Sequence, residues 1–103
     1  MTSQTNAESN YNYTYEVFSM ERFELRRKLF NAYYNYMHNA TPRNRIIFDE
    51  ICLEFRHFYG LTDEQFYYIM RTLFRKTRNG LGFSQKDRFY FWTIVCECFE
   101  DIM

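Results

Sequence analysis

The chain has 103 residues, of which 12 are Phe, 10 Tyr and 1 Trp, against 3 Gly and 1 Pro. So few turn residues exclude a collagen-like chain and a turn-rich barrel or sandwich, and so many aromatics exclude a disordered chain. Thirteen cations balance thirteen anions, so no global field draws the protein to nucleic acid or to an acidic membrane, and no apolar run approaches the length that spans a bilayer.

These figures predict one all-α domain, a compact four-helix arrangement, orthogonal or bundle-like, with a flexible N-terminal arm. The arm is assigned to residues 1–14, which are polar and poor in aliphatics. The helical domain is assigned to 15–103, with helices at about 19–39, 42–59, 62–78 and 84–102.

In the first helix Ser19 is a capping residue, with Glu21 in the first turn where the macrodipole favours a carboxylate. Phe23, Phe30, Tyr34 and Met37 fall on one side, and Leu25, Leu29, Tyr33 and Tyr36 fall beside it. Asn39 and Pro42 end it.

The second helix has Thr41 as cap, Pro42 at its first position and Gly60 past its end. Ile47, Phe48, Ile51, Phe55 and Phe58 recur at helical spacing and form its expected core face. Ile46 and Leu53 lie almost opposite, in line with Glu50 and His57.

Thr62-x-x-Gln65 is a capping box that opens the third helix, with Leu61 placed to staple against Phe66. Phe66, Ile69, Met70, Leu73 and Thr77 share a face, and Asn79-Gly80 stops the helix. Ser84, with Asp87 three residues on, opens the fourth. There Phe89, Trp92, Cys96, Phe99 and Met103 define one apolar face, and Phe91, Val95, Cys98 and Ile102 an adjacent one. A helix apolar over more than half its circumference is either central or meets another chain.

Catalytic signals are missing from the sequence. It has two histidines, His38 and His57, and no glycine-rich phosphate loop, nucleophile elbow or His-Glu-x-x-His. The expectation is a non-enzyme that uses no cofactor, no metal and no small-molecule substrate. Cys52, Cys96, Cys98 and His57 are a poor ligand set, because residues i and i+2 of a helix point about 200° apart. Three cysteines and a polar start without an apolar signal core point to an intracellular setting, cytosolic or nuclear, with reduced thiols.

The leading functional expectation is a protein-interaction module, a subunit or adaptor in a larger assembly or a homo-oligomer, with no membrane partner. Tyr, Phe, Trp, Met and Arg are the types enriched at interface cores. Phe30, Tyr33, Tyr34, Tyr36 and Met37 crowd eight residues of one helix, and one face cannot hide them all. The expected contact residues are Tyr33, Tyr34, Tyr36, Ile46, Leu53, Tyr67 and Tyr68. Phe dominates the inward positions and Tyr the outward ones, which places function on a tyrosine surface.

The alternative partner is DNA. Arg71 to Arg88 holds six cations and one anion, a local net charge of +5. Tyr59-Gly60-Leu61 resembles the turn of a helix-turn-helix, which implies a recognition helix starting at Thr62. That helix would present Tyr67, Tyr68, Arg71, Arg75, Lys76 and Arg78 to a major groove. Arg56 departs from the motif, which usually has a small residue there.

Overall fold

The computed structural model describes the backbone of residues 2–102 and the side chains of residues 20–102. Four helices and no strand are found among the described residues: α1 Thr2–His38, α2 Pro42–Tyr59, α3 Asp63–Thr77 and α4 Gln85–Ile102.

The boundaries are set by side-chain and turn chemistry legible in the sequence. Thr41 caps α2 by accepting from Asn44 N–H at 3.1 Å, and Pro42 follows at the first helical position. At the other end Gly60 adopts φ 63°, ψ 39°, and Leu61 N–H reaches back to Arg56 C=O at 2.9 Å. This left-handed closure satisfies two carbonyls that the helix leaves open, and only glycine enters it without steric penalty. The Thr62/Gln65 capping box is complete in both directions, at 3.2 and 3.0 Å. Ser84 caps α4 by accepting from Asp87 N–H at 3.2 Å. Ser84 O–H donates in turn to the Asp87 carboxylate, which holds that carboxyl below its ordinary range.

The first helix departs from expectation. Its backbone begins at Thr2 and runs through Ser19 and the residues assigned to the arm. No glycine or proline occurs before Pro42 to interrupt it. Side chains of the arm, Tyr11, Tyr13 and Tyr15 among them, lie outside the described residues.

The close helix pairs are α1 with α2 and α3 with α4. Between the pairs lies a core of Leu25, Leu29, Phe30, Tyr33, Phe55, Ile69, Leu73, Phe91, Ile94, Val95 and Cys98. Tyr33, read from the sequence as a surface anchor, is 1% exposed. Its ring lies 5.9 Å from Phe48 on α2, 6.4 Å from Phe74 on α3 and 5.3 Å from Phe91 on α4. Its hydroxyl meets Thr77 Oγ1 at 2.7 Å. Thr77 spends its own proton on Leu73 C=O, so Tyr33 is the donor.

The inward face of α4 is Phe91, Ile94, Val95 and Cys98, the second of the two faces expected, joined by Ile94. The first face is corrected: Trp92 and Phe99 are half-buried, and Phe89 and Cys96 are exposed. On α2, Cys52 and Phe55 are buried, Phe48, Ile51 and Phe58 are half-buried, and Ile47 is exposed. On α1, Phe23 is exposed while Phe30, on the same side, is buried.

Burial pushes Cys52 up to about 12, and raises Tyr33 and Cys98 as well. A raised pKa on these acids means that the folded state holds its proton beyond the unfolded pKa. The stabilisation is therefore intact below about pH 9, where an unfolded thiol begins to ionise, and is lost as pH rises toward the folded values. Urea midpoints should be level from neutral pH to about pH 8 and fall steeply by about pH 10.5. Cys52→Ala should flatten part of that fall. Tyr33→Phe, which removes one buried hydrogen bond, should cost about 1 kcal/mol in urea unfolding. Tyr33→Ala should cost about 3–5 kcal/mol, because it empties the centre of the core.

Candidate interaction surface

Residues three, four and seven apart on a helix share one face. On α1 that spacing puts Phe23, Arg26, Arg27 and Phe30 together, and on α4 it does the same for Gln85, Arg88, Phe89 and Trp92. The two stripes are the walls of one groove of about 470 Å³. Arg26 lies against Trp92 and Arg88 against Phe30, so the helices run in opposite directions along the seam. Phe30 meets Phe91 edge-on at 5.3 Å, and Phe91 meets Trp92 at 5.1 Å. These large rings fill the space beneath and keep the two backbones apart, which leaves the groove open above. Phe30 is its buried floor and Trp92 is half-buried. Phe23 and Phe89 stand on the rim, 66% and 76% exposed.

The groove is cationic as well as aromatic. The Arg26 guanidinium sits 5.1 Å from the Trp92 ring, and its buried Nε makes no hydrogen bond among the described residues. Arg88 lies 4.8 Å over Phe83 and 5.8 Å over Phe30. A guanidinium stacked on a ring is held in place while its in-plane N–H donors still face outward. Arg27 pairs with Glu24 at 3.1 Å, an exposed contact of little net energy. Among the described residues these three guanidinium groups make one ion pair, around exposed apolar rings.

The residues expected at an interface are scattered by comparison. Tyr33 is in the core, which removes it as an anchor. Tyr34 is half-buried against His38 at 4.1 Å and Phe83 at 4.9 Å, and Tyr36 stacks on Phe48 at 5.7 Å. His38 Nε2–H donates to Leu81 C=O at 2.8 Å, since a carbonyl can only accept. Tyr68 turns toward α4 and donates to Asp101 at 2.8 Å. Ile46, Leu53 and Tyr67 are exposed. Leu53 opens on a shallow depression with Arg56, His57 and Gly60, not on the tyrosines of α1.

On α3, Arg71 lies over Tyr67 at 5.7 Å, and Arg75 and Arg78 are exposed without an ion pair among the described residues. Lys76 is taken by Glu97 at 3.8 Å. Thr72, which the helical wheel places on the outward face, is buried and donates to Tyr68 C=O at 2.8 Å. The helix packed along α3 is α4, not α2. Arg56 bridges α2 and α3 by stacking 5.5 Å over Phe66 and pairing with Asp63. Cys52 and Cys98 are buried and Cys96 is exposed, all three as free thiols. No cluster of His, Cys, Asp or Glu among the described residues could hold a metal ion.

Arg26 and Arg27 were not singled out from the sequence, Arg88 was counted only with the cations that follow Arg71, and Phe23, Phe89 and Trp92 were placed on apolar faces and not at a site. The available signal was the pairing of aromatics with arginines at matching spacing on two helices whose apolar arcs are too wide for one core. Comparison with protein-family models, curated proteins and solved structures found no match. No described helix is long and apolar enough to cross a membrane.

The contrast between neighbouring α4 positions is directly measurable. Phe91→Ala should cost about 3–5 kcal/mol in urea unfolding. Phe89→Ala, two residues away, should stay within about 0.5 kcal/mol of the parent.

Proposed function

We propose that the protein is a non-enzymatic interaction module, a subunit or adaptor that binds another protein or a second copy of itself through the groove between α1 and α4. One observation carries this reading. Phe23 and Phe89, both largely exposed, face the same groove across a Phe30–Trp92 floor. Clustered exposed apolar surface with arginines around it has the composition of interface cores. Ile46, Leu53 and Tyr67 offer further exposed apolar contacts away from the groove. An intracellular setting with reduced cysteines accords with three unpaired thiols.

At high concentration the purified protein is expected to self-associate or to lose solubility without a partner. Light scattering should show this, and Phe23→Ser with Phe89→Ser should relieve it. A freely soluble monomer at every concentration, unchanged by the double substitution, counts against the reading.

The second reading is a helix-turn-helix-like DNA-binding regulator. Arg71, Arg75 and Arg78, exposed on α3 and outside any ion pair among the described residues, favour it. Packing of α3 along α4 weighs against it. In this reading Tyr67 and Tyr68 contact bases. Duplex affinity would fall with salt at a log–log slope of about −0.9 per neutralised phosphate. Arg71→Ala/Arg75→Ala would reduce that slope. No duplex retention at low salt in filter binding removes the idea.

A further inference from the structure

We infer that the groove between α1 and α4 takes an acidic amphipathic helix of a partner protein. The inference rests on the interaction reading above and names the class of partner.

Shape is the first argument. Each wall presents side chains over seven residues, which is roughly 10 Å of helix. A trough of that length between two helices accepts a third helix that lowers anchors at i, i+3 or i+4 and i+7 into it. The apolar anchors would lie between the exposed Phe23 and Phe89 rings, above the Phe30 floor.

Charge is the second. Arg26, Arg27 and Arg88 border the groove, and among the described residues only Arg27 of the three has an ion pair, with Glu24. Arg26 is held on Trp92 and makes no ion pair among the described residues, so its charge is available to a partner carboxylate. Arg88 is held on Phe83, and its donors make no ion pair among the described residues. Glutamates and aspartates flanking the apolar anchors would meet these groups, and a basic helix would be repelled.

A single-stranded nucleic acid could also pair stacking rings with arginines. It is disfavoured here. Arg26 and Arg88 already cover faces of Trp92 and Phe83 on which bases would stack. The chain has no net positive charge to hold a phosphate backbone.

Trp92, the one tryptophan of the chain, lines the groove and reports on it directly. The probe is an end-capped peptide of about 16 residues with Leu and Phe at helical anchor positions and Glu and Asp elsewhere. The control carries Lys and Arg in place of its acids, and oligo-dT is the third titrant. The acidic peptide is expected to shift Trp92 emission saturably and to gain helical circular dichroism. Arg88→Glu and, independently, Phe89→Ala should each weaken it by about tenfold or more. Both positions are exposed, so circular dichroism of the free variants should match the parent.

The proposal is overturned if the acidic peptide is silent, if both peptides bind equally, or if neither substitution weakens binding. It is also overturned if oligo-dT alone saturates the signal. A silent acidic peptide beside groove-dependent self-association in light scattering removes this partner class and leaves the interaction reading standing. Failure of both removes both.

Discussion

Tyr33 touches all three of the other helices, and the rest of the domain is arranged around it. Its ring contacts Phe48, Phe74 and Phe91, and its hydroxyl ends on Thr77. A ring this large, buried with its one polar atom satisfied, fixes both the distance between helices and the depth to which α3 approaches α1. An aliphatic residue would let the helices close together. With Tyr33, Phe30, Phe55 and Phe91 at the centre, the helices pack closely in two pairs and are joined through rings.

The groove follows from the same constraint. Rings fill the seam between α1 and α4, and across it Arg26 lies against Trp92 and Arg88 against Phe30. Phe23 and Phe89 then have no neighbour across the gap large enough to cover them. Arginine is the side chain suited to such a border. Its flat guanidinium lies on Trp92 or Phe83, covering apolar surface while keeping its charge and donors available. Core packing and the candidate binding surface are therefore two results of one choice of aromatic residues.

The expected division into a phenylalanine core and a tyrosine surface holds only in part. Tyr33 is buried among the core phenylalanines, and a hydroxyl can be buried when Thr77 accepts it. Phe23, Phe74, Phe83 and Phe89 are exposed, because the core volume is already filled. The surplus of aromatics does exceed what one small core can hide. It emerges mainly as phenylalanine between arginines, with Tyr67 as an outlying tyrosine on α3.

Local chemistry made most of the fold legible in the sequence. Thr41-Pro42, Gly60, the Thr62/Gln65 box and Ser84 act within four or five residues of chain, so their meaning does not depend on the remainder of the molecule. The start of α1 was not legible, because no residue before Pro42 forbids helix and the expected cap, Ser19, falls within it. The candidate site was legible only as composition. On α1 and α4 the apolar arc exceeds half the helix, so periodicity leaves several rotations equally acceptable. Which rotation buries Phe91 and exposes Phe89, and brings Phe23, Arg26, Arg88 and Trp92 around one space, depends on ring volumes from three other helices. That is a property of the packed tertiary structure alone.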